Sequence, residues 1–179
     1  MRQLEVIVYD PRWPTLFEEE RVRLHAALGE LAVRIDHNGS TSVPGLAAKP
    51  VIDVQISVRT LQPIDAYRTP LQQLGYTHVP HADDSFCPFF HRPHEWPHTH
   101  HVHVVEAGGE EEARTLAFRD YLRDHADMAQ EYAALKAMLA RRFSAMEFES
   151  RQAYADAKGE FIERVIMTAR AQGYPRGLG

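Results

Sequence analysis

The sequence predicts an α/β fold of the α+β kind, a mixed β-sheet core followed by a C-terminal helical half. Three observations lead there. Short β-branched runs are confined to the first part of the chain, helical spacing takes over after Gly108-Gly109, and no low-complexity linker separates the two. The whole chain, 1–179, therefore reads as a single domain, with the sheet core over about 1–107 and the helical part over about 108–173.

The first helix is expected in "DPRWPTLFEEERVRLHAALGE", where Trp13, Leu16, Phe17, Val22, Leu24 and Leu28 supply an apolar face and Gly29 a stop. "LAVRIDHN" alternates Val33, Ile35 and His37 against Arg34, Asp36 and Asn38, the two-residue period of a strand. "GSTSVPGLAAKP" is a loop, and "VIDVQISV" is the near-continuous β-branched run of a strand covered on both faces. A second helix is expected in "PIDAYRTPLQQLG", kinked or broken at Pro70. "SFCPFFHR" and "HTHHVHVVE" flank "PHEWPH" as an antiparallel pair. Three helical stretches follow: "EEEARTLAFRDYLRDH", "ADMAQEYAALKAMLARRF" with Met128, Tyr132, Leu135 and Leu139 in line, and "SRQAYADAKGEFIERVIMTARAQ" with Tyr154, Phe161, Val165 and Ala169 in line.

The composition narrows the function. A formal charge of -5 argues against broad nucleic-acid binding, which needs a basic face. The single cysteine, Cys87, makes no internal disulfide and no cysteine-rich zinc site. "MRQLEVIVYDPRW" has no apolar core of signal-peptide length and no run is long enough to span a bilayer, so a cytoplasmic protein is the expectation. Histidine is the unusual count: most of the eleven lie between His78 and His103.

The chemistry concentrates around one carboxylate. Asp53 and Gln55 share one strand face, with Ile52, Val54 and Ile56 on the other. A buried lone acid needs a metal, a cation or several donors. Gly39 and Ser40, just upstream, form a turn whose backbone and hydroxyl can approach phosphate oxygens, with Thr41 and Ser42 as further contacts. Lys49 is placed to neutralise a phosphate or the acid. Arg92 is a candidate phosphate clamp, because a guanidinium binds oxyanions bidentately.

Gly-Ser followed by a strand carrying acid-apolar-acid-apolar resembles the signature of the nucleotidyltransferase superfamily. Here the strand reads Asp53, Val54, Gln55, Ile56, so glutamine stands where a second carboxylate would support two-metal catalysis. "HNGSTSVPGLAAKPVIDV", "HVHVVE", "FRDYLRDH", "EYAALK" and "YADAKGEFI" further resemble the GrpB family (UPF0157), from about Ile35 to Ile162. That resemblance implies a nucleotidyltransferase-like fold and, through fusion of the family to some bacterial dephospho-CoA kinases, a nucleotide or CoA-like ligand. It settles no reaction.

His101 and His103 share a face of their strand and are expected, with Asp53, to hold a divalent metal. The ion would be Mg²⁺ or Mn²⁺, or another transition metal that favours nitrogen. Lys136 and Lys158 match family positions and could reach over the cleft; His37 could orient the turn or bond within the core. His81, His91, His94, His98 and His100 lie in or near loops and strand ends. Two functions follow: metal-dependent transfer of a nucleoside monophosphate, with Asp53, Gln55 and Lys49 in catalysis, or non-catalytic binding of a nucleotide or CoA-related phosphate ligand. The third, a histidine-triad-type hydrolase, would use His101 as nucleophile, although Thr99 stands where its first histidine belongs. The oligomeric state is left open by the residues.

Overall fold

A computed structural model describes residues 5–80, 82–143 and 147–177; the Met1–Leu4 stretch and His81 lie outside the described residues. Helix α1 (Trp13–Leu28) leads into strand β1 (Ala32–Asn38) and, through the loop after Gly39, into β2 (Ile52–Val58). Helix α2 (Asp65–Gln73) precedes β3 (Thr77–Val79), β4 (Phe89–Arg92) and β5 (His100–Glu106). Four helices complete the chain: α3 (Glu110–Asp124), α4 (Ala126–Arg142), α5 (Phe148–Asp156) and α6 (Gly159–Ala171). No helix among the described residues is long and apolar enough to cross a membrane.

The sheet runs β1-β2-β5-β4-β3, antiparallel throughout except for the parallel pair β2 and β5. One of its faces is dry. Val54, Ile56, Val102, Val104 and Phe90 are fully buried there among Trp13, Leu24, Leu28, Tyr67 and Leu71 of α1 and α2. Each such side chain stabilises the fold by about 1.5–3 kcal/mol. The opposite face carries the polar residues of the same strands, because side chains alternate. Helix α3 covers one end of it: the Ser57 hydroxyl donates to Glu112 at 2.5 Å and the Thr115 hydroxyl reaches Gln55 Oε1 at 2.5 Å. At the other end, Val43 and Leu46 of the loop are drawn into a second core with Ala117, Tyr132, Phe161 and Val165. That packing presses the Gly-Ser turn between sheet and helices.

Several details depart from the periodicity. Leu16 and Val22 are 41 % and 57 % exposed, while Glu20 occupies the buried face of α1. Val33 is exposed because the β1–β2 register slips between Ala32 and Arg34, a bulge that takes one residue out of alternation. Pro70 lies inside α2 without ending it, with Tyr67 and Leu71 anchoring that helix to the core. The final helical stretch is two helices, parted between Asp156 and Gly159, and Lys158 sits at the break.

Candidate functional site

Gly39 closes β1 with φ +64°, a conformation that side chains other than glycine rarely adopt. A Cβ at this position would lie 2.2 Å from Asp53 Oδ2. The turn backbone thus rests directly on the carboxylate of the neighbouring strand, and only glycine permits that approach. Ser40 follows, its hydroxyl bonded to the Tyr132 phenol of α4.

In the parallel pair, Asp53 is opposite His101 and Gln55 opposite His103, so all four point to the same side. His101 Nδ1 is 3.3 Å from Asp53 Oδ1, and the two side chains keep 24 % and 28 % exposure. His101 Nε2 meets His98 Nδ1 at 3.2 Å, and the His98 ring stacks on His91 at 3.8 Å. Burial opposes ionisation of Asp53, but the His101 hydrogen bond and the charges of His101, His103 and Lys158 outweigh it, holding the carboxyl below its ordinary value.

Three lysines face this acid. Lys49 enters from the loop, Lys136 from α4 and Lys158 from the α5–α6 break. Burial, reinforced by repulsion from Lys158, lowers Lys136 to about 7 and Lys49 to about 8, with Asp53 acting in the opposite direction. Lys158 is likewise pushed down by burial against the pull of Asp53. Lys136 Nζ donates to the Ala47 carbonyl at 2.5 Å and lies 4.7 Å from the Tyr132 ring centroid. Lys49 and Lys158 lie 4.0 and 4.7 Å from the centroid of one ring, Tyr154. Among the described residues neither of these two ammoniums has a hydrogen-bond acceptor. One carboxylate facing three ammoniums leaves an excess of positive charge and of N–H donors. That is the character of an anion site.

Of the residues singled out in the sequence, Gly39, Ser40, Lys49, Asp53 and His101 are gathered here, with Lys136 and Lys158. Thr41 and Ser42 are spent on the chain itself: Thr41 donates to the Val51 carbonyl and meets His37, and the Ser42 hydroxyl donates to the Gly39 carbonyl. Gln55 is fully buried, its oxygen accepting from Asn38 at 3.0 Å and from Thr115. It therefore cannot present that oxygen to a cleft, which corrects its expected catalytic role. His103 lies against Phe89, with Nδ1 3.8 Å from Cys87 Sγ.

Arg92 is not in the site. His91 is opposite His101 in the β4–β5 register, so Arg92, opposite His100, points to the other face, where it pairs with Glu20 at 2.9 Å. Among the described residues no three His, Cys, Asp or Glu side chains are grouped to hold a metal. His101 has turned its nitrogens to Asp53 and His98, so the expected Asp53-His101-His103 cage is not formed. Two cavities, of about 590 and 120 Å³, are lined by Val33, Arg34, Gly108 and Glu112 and by Tyr121, Met128 and Arg164 among others. Neither touches Asp53.

Tyr132 and Tyr154 were legible only as members of apolar stripes. A signal did exist: "YAALK" and "YADAK" both place a tyrosine four residues before a lysine, a spacing that within α4 sets the Tyr132 ring beneath Lys136, while Lys158 reaches Tyr154 from the break after α5.

The wider comparison agrees with this architecture. The crystal structure of the conserved protein GrpB from Enterococcus faecalis superposes with a TM-score of 0.82 at 32 % identity, covering 94 % of this chain and 98 % of that one. The UPF0157 protein BH1888 of Halalkalibacterium halodurans is 38 % identical over 94 % of this chain and 83 % of its own length. The UPF0157 protein YqkA of Bacillus subtilis is also 38 % identical over 94 % of this chain, which spans about half (48 %) of that relative's length. A shorter segment of 75 residues is 44 % identical to part of the dephospho-CoA kinase of Mycolicibacterium paratuberculosis, 18 % of that protein. The profile of the GrpB protein family matches residues 3–168, so the chain belongs to the GrpB family.

Proposed function

We propose that the protein binds a phosphate-bearing small molecule, a nucleotide or a CoA-related compound, between the Gly39-Ser40 turn and the three lysines. One observation carries the reading: among the described residues Lys49 and Lys158, both within the electrostatic reach of Asp53, have no hydrogen-bond acceptor. Phosphoryl oxygens would supply it through charge-assisted hydrogen bonds, each worth about 1.5–3 kcal/mol. The similarity of one segment to part of a dephospho-CoA kinase is what includes CoA-related ligands.

The donor set also limits the metal. A cage of histidines has no support in the positions of His101 and His103. A hard cation such as Mg²⁺ or Mn²⁺, bound by Asp53 and by oxygens of the ligand, fits a single carboxylate. With three ammoniums close by, such an ion would enter with the anion and neutralise the ligand's charge.

Transfer of a nucleoside monophosphate is the second reading. It is favoured by the contact of Gly39 with Asp53, the arrangement that the superfamily resemblance implies. The sealed Gln55 removes the second metal ligand, which places binding ahead of transfer.

Titration calorimetry with ATP, CoA and dephospho-CoA, with and without Mn²⁺, tests the proposal. The expected result is binding that weakens about tenfold in Lys158→Met. No binding of any of the three, or affinity unchanged in that variant, would overturn it. Labelled NTPs with Mn²⁺ address transfer: product formed by the wild type and lost in Asp53→Asn supports it, and no product from the wild type removes it.

A further inference from the structure

Tyr154 is the least explained part of the site. Its ring is 2 % exposed, although it is the sole buried residue of α5, and it holds two ammoniums rather than one. Its apolar neighbours Leu139 and Ala140 and the edge-on Phe143 ring account for its burial but not for the two ammoniums on it. What an aliphatic chain lacks is the negative face of a π system.

We propose that Tyr154 sets the affinity and the charge threshold of the anion site: its ring holds Lys49 and Lys158 in place of a ligand, and a ligand must take both from it. This rests on the phosphate-site reading above. A cation over a ring gains roughly 0.5–2 kcal/mol and a charge-assisted hydrogen bond to an oxyanion about 1.5–3, so the exchange favours an anion that makes several such bonds and reaches both ammoniums. A single phosphoryl group that engages one lysine leaves the other on the ring. Two or three adjacent phosphoryl groups replace both contacts. The ligand class is therefore a di- or triphosphate, and orthophosphate is discriminated against.

The test is a graded series at position 154, titrated without metal against orthophosphate, pyrophosphate and tripolyphosphate, with the fold of each variant checked by thermal melting. Cation–π attraction is strongest for Trp, comparable for Tyr and Phe, and absent for Leu. Tripolyphosphate should bind Tyr154→Leu about tenfold more tightly than wild type, Tyr154→Phe within about twofold of it, and Tyr154→Trp several-fold more weakly. Wild type should prefer pyrophosphate and tripolyphosphate to orthophosphate, and Tyr154→Leu should narrow that preference.

Unchanged or weaker binding in a folded Tyr154→Leu would overturn the proposal and make the ring a binding surface instead. Should the Leu variant not fold, equal affinity in the Trp variant and the wild type overturns it, and weaker binding in the Trp variant sustains it. If neither wild type nor any variant binds a phosphate compound, the underlying reading fails as well. If they bind with a flat series, only the role of Tyr154 falls.

Discussion

Two carboxylates, on opposite faces of the sheet, show different uses of the same charge. Glu20 is 3 % exposed and closed on every side: Tyr76 donates to Oε1 at 2.9 Å, and Arg23 and Arg92 meet Oε2 at 2.7 and 2.9 Å. Burial opposes its ionisation, and Tyr76, Arg92, His100 and Arg23 together more than offset that, holding it below its ordinary value. Asp53 keeps 28 % exposure and one close partner, His101. Its three cations stand off, against tyrosine rings and a carbonyl. A satisfied network fixes shape, whereas an unsatisfied one leaves donors available to a ligand.

The largest effect expected from this contrast is on the closed side. Glu20→Ala leaves the partly buried Arg92 without its counter-charge and the buried Tyr76 hydroxyl without its acceptor, and should cost about 3–5 kcal/mol in urea unfolding, much of it restored by adding Arg92→Leu. Ligand affinity should not change beyond what the lost stability causes. A strong, specific loss of affinity at full folding would break the separation of the two faces.

Next comes the contact that joins turn and acid. Gly39→Ala combines a left-handed backbone with a Cβ 2.2 Å from Asp53 Oδ2, and should cost about 2–4 kcal/mol. In an Asp53→Gly background every side-chain atom that this Cβ meets is gone, and the same substitution should cost only about 1–2 kcal/mol. Equal costs in both backgrounds would show that the turn does not rest on the acid.

His37 lies between the two regions, stacked on Phe17 at 4.6 Å and hydrogen-bonded to Thr41. Burial lowers it from 6.5 to about 4, with Asp53 opposing and Arg123 and Arg119 adding to the shift. The unfolded chain therefore binds the extra proton first, so stability falls as the pH drops from 6.5 towards 4. A loss on the order of 2 kcal/mol across that window is expected, reduced in His37→Gln. Denaturation midpoints at several pH values measure it, and parallel curves for the two proteins would refute it.

The smallest effect sharpens the open side. Lys136→Met should weaken nucleotide binding about tenfold, or 1.4 kcal/mol. Its folded value near 7 lies below 10.5, so the unfolded chain holds more protons between those values. Wild-type stability should rise with pH across that window, and the rise should shrink in Lys136→Met to the share left by Lys49 and Lys158. Unfolding melts from pH 7 to 10 follow it; a rise undiminished by the substitution assigns it wholly to the other lysines.

These contrasts also mark what could be read from the chain beforehand. Strand order aside, the sheet core and helical half follow from periodicity, and Gly39 with Asp53 follows from a local spacing whose two parts lie on adjacent strands. Arg92 was misplaced because its face depends on the β4–β5 register, which a run such as "FFHR" does not reveal. Gln55 was misread for a similar reason: the hydroxyl that covers it, Thr115, belongs to a helix beyond the sheet, and nothing near position 55 announces it. The break before Gly159, which brings Lys158 to the site, interrupts a pattern that otherwise reads as one helix.

The parallel pairing of β2 with β5 carries a kinetic consequence. Asp53 and His101 become neighbours only after the chain has passed through α2, β3 and β4 and returned β5 to the side of β2, so their contact is non-local and closes late. A chain still missing its β4–β5 hairpin would carry the lysines with no aspartate-imidazole pair to meet them. Ligand competence is therefore a property of the finished molecule, and its recovery during refolding should trail the appearance of helix.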